Sequence, residues 1–308
     1  MKRAIWTAAG ALFIASALTR GAAAGPVVEH VVLIGIDGLS PDGLRKAKVP
    51  VIDGLRKGGA WTYHARGVMP TSSSSNWASM IMGAGPEQHG VTSNDWKPGD
   101  KAITPTAVGP RDHFPTIYGL LRDQRPKAKI GIFHDWGDYA RLVEKGVADV
   151  IENPKGPQAT AERAAAYIKS ERPTLAFVHL DHVDHAGHRH GHGTPEYYGS
   201  VEEADRLVGR ILEAIREAGI AETTVVLVTA DHGGKGKGHG GNTMGELEIP
   251  WIIAGPGIAA GREIQAPVNT FDTAATLALV LGLETPECWI ARPVRSAFSA
   301  APSHGNDR

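Results

Sequence analysis

Five short apolar runs, each closing on polar or glycine residues, limit what this chain can fold into. They are "EHVVLIGIDG" (29–38), "AKIGIFH" (128–134), "TLAFVHLD" (174–181), "TTVVLVTADHG" (223–233) and "EIPWIIAGPG" (248–257). Unbroken apolarity over so few residues is the pattern of a strand covered on both faces, with a polar group delivered at its carboxyl end. Helical patterns lie between the runs. Residues 194–219 offer Thr194 as N-cap, Pro195 at the first helical position, a stripe of Val201, Leu207, Val208, Ile211, Leu212 and Ile215, and Gly219 as the stop. Residues 270–282 repeat the pattern more briefly. Alternation with short connections predicts an α/β fold: a three-layer αβα sandwich around a mainly parallel sheet. Ligands of such sheets bind at the carboxyl ends of the strands, where Asp37, Asp181, Asp184, Asp231 and His232 fall.

Residues 1–24 stand apart. Lys2 and Arg3, an apolar stretch from Ala4 to Leu18, and small residues Ala22 to Ala24 have the layout of a secretory signal peptide. The expected product is a secreted or periplasmic protein with one domain over 25–295. Residues 95–127 are expected as an irregular excursion over the site, and 296–308 as a frayed tail. No other apolar run approaches membrane-spanning length. Losing Lys2, Arg3 and Arg20 without any acid takes the net charge from −1 to −4. A mildly acidic chain has no polyelectrolyte field for a nucleic-acid duplex. Cys288 is the only cysteine, so no internal disulfide forms, and a core of this size needs none.

Three segments carry chemistry. "VTADHGGKGKGHGG" (228–241) puts an acid beside a histidine at a strand end, then a glycine-rich loop and a second histidine, a donor set suited to zinc and similar ions. "VMPTSSSSNWASMIMGAG" (68–85) sets a row of hydroxyls before a short helix, where backbone N–H groups attract anions. A serine there is either a nucleophile or an ordinary helix cap. "HLDHVDHAGHRHGH" (179–192) holds six of the fourteen histidines.

In this order the segments, with "GPEQHGVTSN" (85–94) between them, resemble the alkaline phosphatase superfamily, closest to its nucleotide pyrophosphatase/phosphodiesterase (type I phosphodiesterase) branch, over residues 30 to 285. The resemblance implies an alkaline phosphatase-like fold and two divalent metal ions, zinc first by ligand type, with manganese and iron as alternatives. It implies that Asp37, Asp231, His232 and Ser73 serve one ion, and Asp184, His188 and His239 the other. The family segment Asp-x-x-Gly-His-x-x-Gly matches Asp184, Gly187, His188 and Gly191; the shifted register, Asp181 with His185, lacks the glycine before the histidine. His179, His190 and His192 are then rim or supporting residues. Ser73 matches the nucleophile position, where the branch usually has threonine, with Ser72 and Ser74 as neighbours. Asn94 matches a residue that holds a phosphoryl oxygen.

The implied activity is hydrolysis of a small phosphorylated substrate, nucleotides among the options, through a phosphoseryl intermediate. The ester class, mono or di, stays open: Arg111, Lys235 and Lys237 are near the site only in chain, and Trp96 is either a base-stacking or a packing residue. A sulfatase of the same superfamily needs Cys or Ser followed by x-Pro-x-Arg, which "SSSSN" lacks. A phosphoglycerate mutase-like phosphotransferase needs a large inserted domain. A non-enzymatic periplasmic metal-binding protein would cluster its donors locally, whereas these span about two hundred residues.

Overall fold

The computed structural model describes residues 28–100 and 102–299. The proposed signal segment 1–24 and residues 300–308 lie outside the described residues. Eight strands form one sheet: β1 (His30–Ile36), β2 (Ala60–Arg66), β3 (Ile130–His134), β4 (Val150–Glu152), β5 (Leu175–Leu180), β6 (Thr224–Thr229), β7 (Glu248–Ala254) and β8 (Arg262–Glu263), in the order β4-β3-β5-β1-β6-β7-β2-β8. The block from β4 to β6 is parallel throughout. All five apolar runs are strands, and β1, β3, β5 and β6 are buried along their whole length.

β7 breaks the parallel pattern. It runs antiparallel to both β6 and β2, so its amino end, at Glu248, meets the carboxyl ends of its neighbours. β2 was not legible as a strand because it alternates buried and half-exposed positions and carries His64 and Arg66. The helix expected at 194–219 forms as Pro195–Glu217, with the Thr194 hydroxyl accepting from the Tyr197 N–H. The one expected at 270–282 forms as Asp272–Val280. The segment 95–127 is not irregular throughout: its second half is the helix Ile117–Gln124, with Ile117, Tyr118 and Leu121 buried. Residues 296–299 are tied down, Ala297 being buried and the Ser299 N–H donating to the Gly257 carbonyl at 3.0 Å.

β1 lies at the centre, flanked by β5 and β6. The residues after these three strands therefore emerge side by side, and a fourth element is fixed against them by packing. The helix Ser73–Met82 is buried along its whole length, and its Trp77 ring lies over Gly35 of β1. A Cβ on Gly35 would sit 2.4 Å from that ring. Glycine is what lets the helix come close enough to present its first residues to the strand ends. Gly35→Ala forces Trp77 out of place and should lower stability by about 1–3 kcal/mol, as overpacked cores do. A thermal midpoint equal to that of the parent protein would contradict this.

Candidate metal and phosphoryl site

Asp37 follows β1, Asp184 lies one helical turn after β5, and Asp231 and His232 follow β6. All four are buried. Ser73 opens its helix, and His239 comes from the glycine-rich loop after β6, which Glu246 holds by accepting the N–H groups of Gly241 (2.8 Å) and Thr243 (3.1 Å). The Pro-Thr segment joins that loop to the Ser73 helix. Thr71 donates its hydroxyl to the Gly241 carbonyl (2.8 Å), while its own carbonyl accepts from His239 Nδ1 (2.8 Å). Asn76 fixes the turn from the other side, donating to the carbonyls of Val68, Pro70 and Ser72.

The structure groups donors whose ligand atoms lie within 4.8 Å of one another as Asp184, His188 and His239, the set expected, and as Asp37, Asp184 and His232, where Asp184 stands in the place expected for Asp231. In each histidine Nδ1 faces a backbone carbonyl: Lys237 for His188 (2.9 Å), Gly233 for His232 (2.7 Å) and Thr71 for His239. A carbonyl only accepts, so Nδ1 carries the proton and Nε2 is left as the nitrogen turned to the carboxylates. His232 Nε2 is 3.2 Å from Ser73 Oγ, 3.2 Å from Asp231 Oδ2 and 3.4 Å from Asp37 Oδ1. His188 Nε2 and His239 Nε2 are 3.1 and 3.8 Å from Asp184 Oδ2. An imidazole lone pair against a carboxylate oxygen requires a positive charge between them. Asp37 Oδ1 and Asp231 Oδ2 are buried with no hydrogen-bond donor. Carboxylate and imidazole donors in this arrangement fit divalent ions of the zinc class.

The electrostatics agree. Burial, reinforced by the charges of Asp231 and Asp184, holds the Asp37 carboxyl well above its usual range. Burial and Asp184 do the same to Asp231. At Asp184 burial also raises the pKa, but the His188 hydrogen bond and the charges of His232 and His239 outweigh it, and the carboxyl ends below the usual range. The Asp184 hydrogen bond in turn lifts His188 to about 9.

Neighbours expected at the rim divide by position. His179 is fully buried behind Asp37. The Trp136 N–H meets its Nδ1 (3.5 Å), so its Nε2–H donates to Asp37 Oδ2 (3.2 Å), which also accepts from Trp77 Nε1 (3.0 Å). His179 thus supports Asp37, although Asp37, His179 and Asp181 form a third close group. Asp181 is buried but pairs at 3.1 Å with a His185 that is 73% exposed, so the histidine of the shifted register points outward. His190 is exposed. Trp96 is buried against His113 at 5.9 Å, a packing position.

The serines separate too. Ser72 Oγ bonds Ser75 Oγ (2.9 Å) and Ser74 Oγ accepts from Arg141 (3.0 Å), leaving Ser73 as the hydroxyl turned to His232. Asn94 stands at the same helix start, but its Oδ1 accepts the Ser74 N–H (2.8 Å), so that N–H is not free for an anion and the amide nitrogen of Asn94 is its outward donor. The cation here is Arg141, which sequence reasoning missed. Its Nη2 also donates to the Asn94 carbonyl, and its Nε is buried without a partner. Its Nη1 is 3.4 Å from Asp138 Oδ2, whereas Arg111 pairs with Asp123, and Lys235 and Lys237 are exposed. No motif in "DWGDYARLVEK" marks Arg141; only the packing of the Gly137–Leu142 turn against the Ser73 helix brings it in.

The sequence profile described as type I phosphodiesterase / nucleotide pyrophosphatase matches residues 31–237. The chain is 24% identical over 215 residues to mouse ectonucleotide pyrophosphatase/phosphodiesterase family member 1, covering 65% of this chain and 23% of that protein. It is 31% identical over 159 residues to rat steryl-sulfatase, covering 42% and 27%. The chain thus spans about a quarter of the length of these curated relatives. Among solved structures, human ectonucleotide pyrophosphatase/phosphodiesterase 5 superposes with a TM-score of 0.73 at 13% identity, over 88% of this chain and all of that one. A mutant of alkaline phosphatase PafA gives 0.71 at 12%, over 90% of this chain and all of that one. The murine counterpart of the human structure, solved as an inactive variant with AMP, gives 0.70 at 14%, over 84% and 96%.

In protein freed of metal, His188 should titrate near 9, and Asp184→Asn, which removes the charged acceptor, should bring it back toward the ordinary histidine value of about 6.5. Imidazole proton shifts followed by NMR would show this. An unchanged His188 midpoint in the variant would contradict the pairing.

Proposed function

Because the chain belongs to the type I phosphodiesterase/nucleotide pyrophosphatase family, we propose that it is a metal-dependent phosphoester hydrolase that acts through Ser73. The observation carrying this reading is the Ser73 hydroxyl, 3.2 Å from His232 Nε2 within a set of buried carboxylates. Asp37, Asp231 and His232, with Ser73, would hold one divalent ion, and Asp184, His188 and His239 the other. When bound, such a pair lowers the pKa of the serine hydroxyl and stabilises the leaving oxygen. Ser73 Oγ passes its proton to solvent and attacks phosphorus. The ester P–O bond breaks with its electron pair leaving on the alcohol oxygen, which takes a proton from water. A second water then hydrolyses the phosphoserine, releasing the phosphoryl group and restoring the serine. Asn94 Nδ2 and Arg141 face the transferred oxygens. Zinc is the proposed metal by ligand type, and export is proposed from the pattern of residues 1–24. No helix among the described residues is long and apolar enough to cross a membrane.

Arg141 favours monoesters over diesters. A monoester carries one more charged non-bridging oxygen, and a guanidinium beside Ser74 and Asn94 is placed to neutralise it. AMP bound to the murine relative is in keeping with small phosphorylated substrates. The sulfatase relatives do not shift the reading, since the residues after Ser73 lack the Pro and Arg of the sulfatase motif.

Ser73→Ala, assayed at saturating zinc, should remove nearly all turnover of p-nitrophenyl phosphate; turnover near that of the parent protein would rule out this nucleophile. Arg141→Ala should lower kcat/KM for p-nitrophenyl phosphate by about 10–100-fold, the scale of a lost charged hydrogen bond. The same change should alter bis-p-nitrophenyl phosphate hydrolysis far less. Equal losses on both substrates would remove the monoester preference.

A further inference from the structure

The carboxylates of the site share a construction. One oxygen faces the imidazoles and the other is held from behind by N–H donors. Asp37 Oδ2 is held by Trp77 and His179, and Asp231 Oδ1 by the Gly38 N–H at 3.2 Å. Asp184 breaks the rule. Its Oδ2 faces His188 and His239, yet its Oδ1 is buried with no hydrogen-bond donor.

Opposite that oxygen lies a second orphan. The His192 side chain is 5% exposed, neither ring nitrogen has a partner, and its Nε2 is 3.9 Å from Asp184 Oδ1. The residue is anchored through its backbone, which leaves the ring free to adjust. The His192 N–H donates to the Gly236 carbonyl at 2.7 Å, and the Tyr197 ring lies 5.0 Å away. Gly187 and Gly234 leave it room: a Cβ on either would come within 2.3 and 2.1 Å of Nε2. His192 does not itself complete the donor group, because the atoms that converge there come from Asp184, His188 and His239.

We infer that His192 is a positioning residue for Asp184. Its Nε2–H donates to Oδ1, so that Oδ2 stays turned to the ion held with His188 and His239. Closing the gap to hydrogen-bond length takes a shift of roughly 1 Å. The inference rests on the two-ion reading above. It explains a histidine that the family segment, ending at Gly191, does not include.

The test is competition of the zinc-loaded protein with a chromophoric chelator, read for each ion separately. His192→Ala should weaken one of the two ions by about 10–100-fold, the usual effect of losing such a partner, and leave the other unchanged. His192→Gln, whose amide reaches the Nε2 position, should recover most of the affinity, and His192→Asn, whose amide reaches only the Nδ1 position, should not. Affinity for both ions unchanged in His192→Ala overturns the inference. So does a Gln variant as weak as the Ala variant, which would reduce His192 to packing. A parent protein that binds fewer than two ions would instead overturn the two-ion reading itself.

Discussion

Three carboxylates and three imidazole nitrogens are crowded within a few ångströms of one another at the carboxyl edge of the sheet, with only His188 open to solvent. That confinement is the constraint on which the rest of the structure turns. In water each carboxylate would ionise near pH 4 and be solvated. Here burial and mutual repulsion push Asp37 and Asp231 far above that value. The orientation of the histidines makes the crowding useful: each spends its Nδ1–H on a backbone carbonyl and turns Nε2 inward. Such a set is costly unless cations neutralise it, which is why the arrangement reads as a metal site and not as a satisfied polar core.

The fold supplies this geometry through the centre of its sheet. β1 between β5 and β6 delivers acids from three strands to one place, and the Ser73 helix is drawn onto them by Trp77 packing on Gly35. The same indole donates to Asp37. One side chain therefore links core packing to the orientation of a donor. Thr71 does similar work between the helix and the glycine-rich loop, holding Gly241 with its hydroxyl and His239 with its carbonyl.

Much of this was legible in the sequence. The apolar runs gave away the parallel centre, because a strand covered on both faces leaves a continuous apolar signature. Asp37, Asp231 and His232 could be placed because they close such runs. The antiparallel β7 was read as one more buried strand, since direction leaves no mark on composition, and β2 was lost because a half-exposed strand with His64 and Arg66 does not look like a core element. The helix Ile117–Gln124 was hidden in a segment rich in Pro, Gly and charge. Arg141 and the supporting roles of Trp77 and His179 were out of reach for a different reason: they depend on contacts between residues 40 to 142 positions apart, which no local pattern encodes.

The central claim is that two divalent cations neutralise the crowded carboxylates. Anomalous diffraction from crystals of the zinc-loaded protein tests it most directly. The account predicts two peaks a few ångströms apart, one bounded by Asp37, Asp231, His232 and Ser73 and the other by Asp184, His188 and His239. A single peak, or one centred among Asp37, His179 and Asp181, would contradict it.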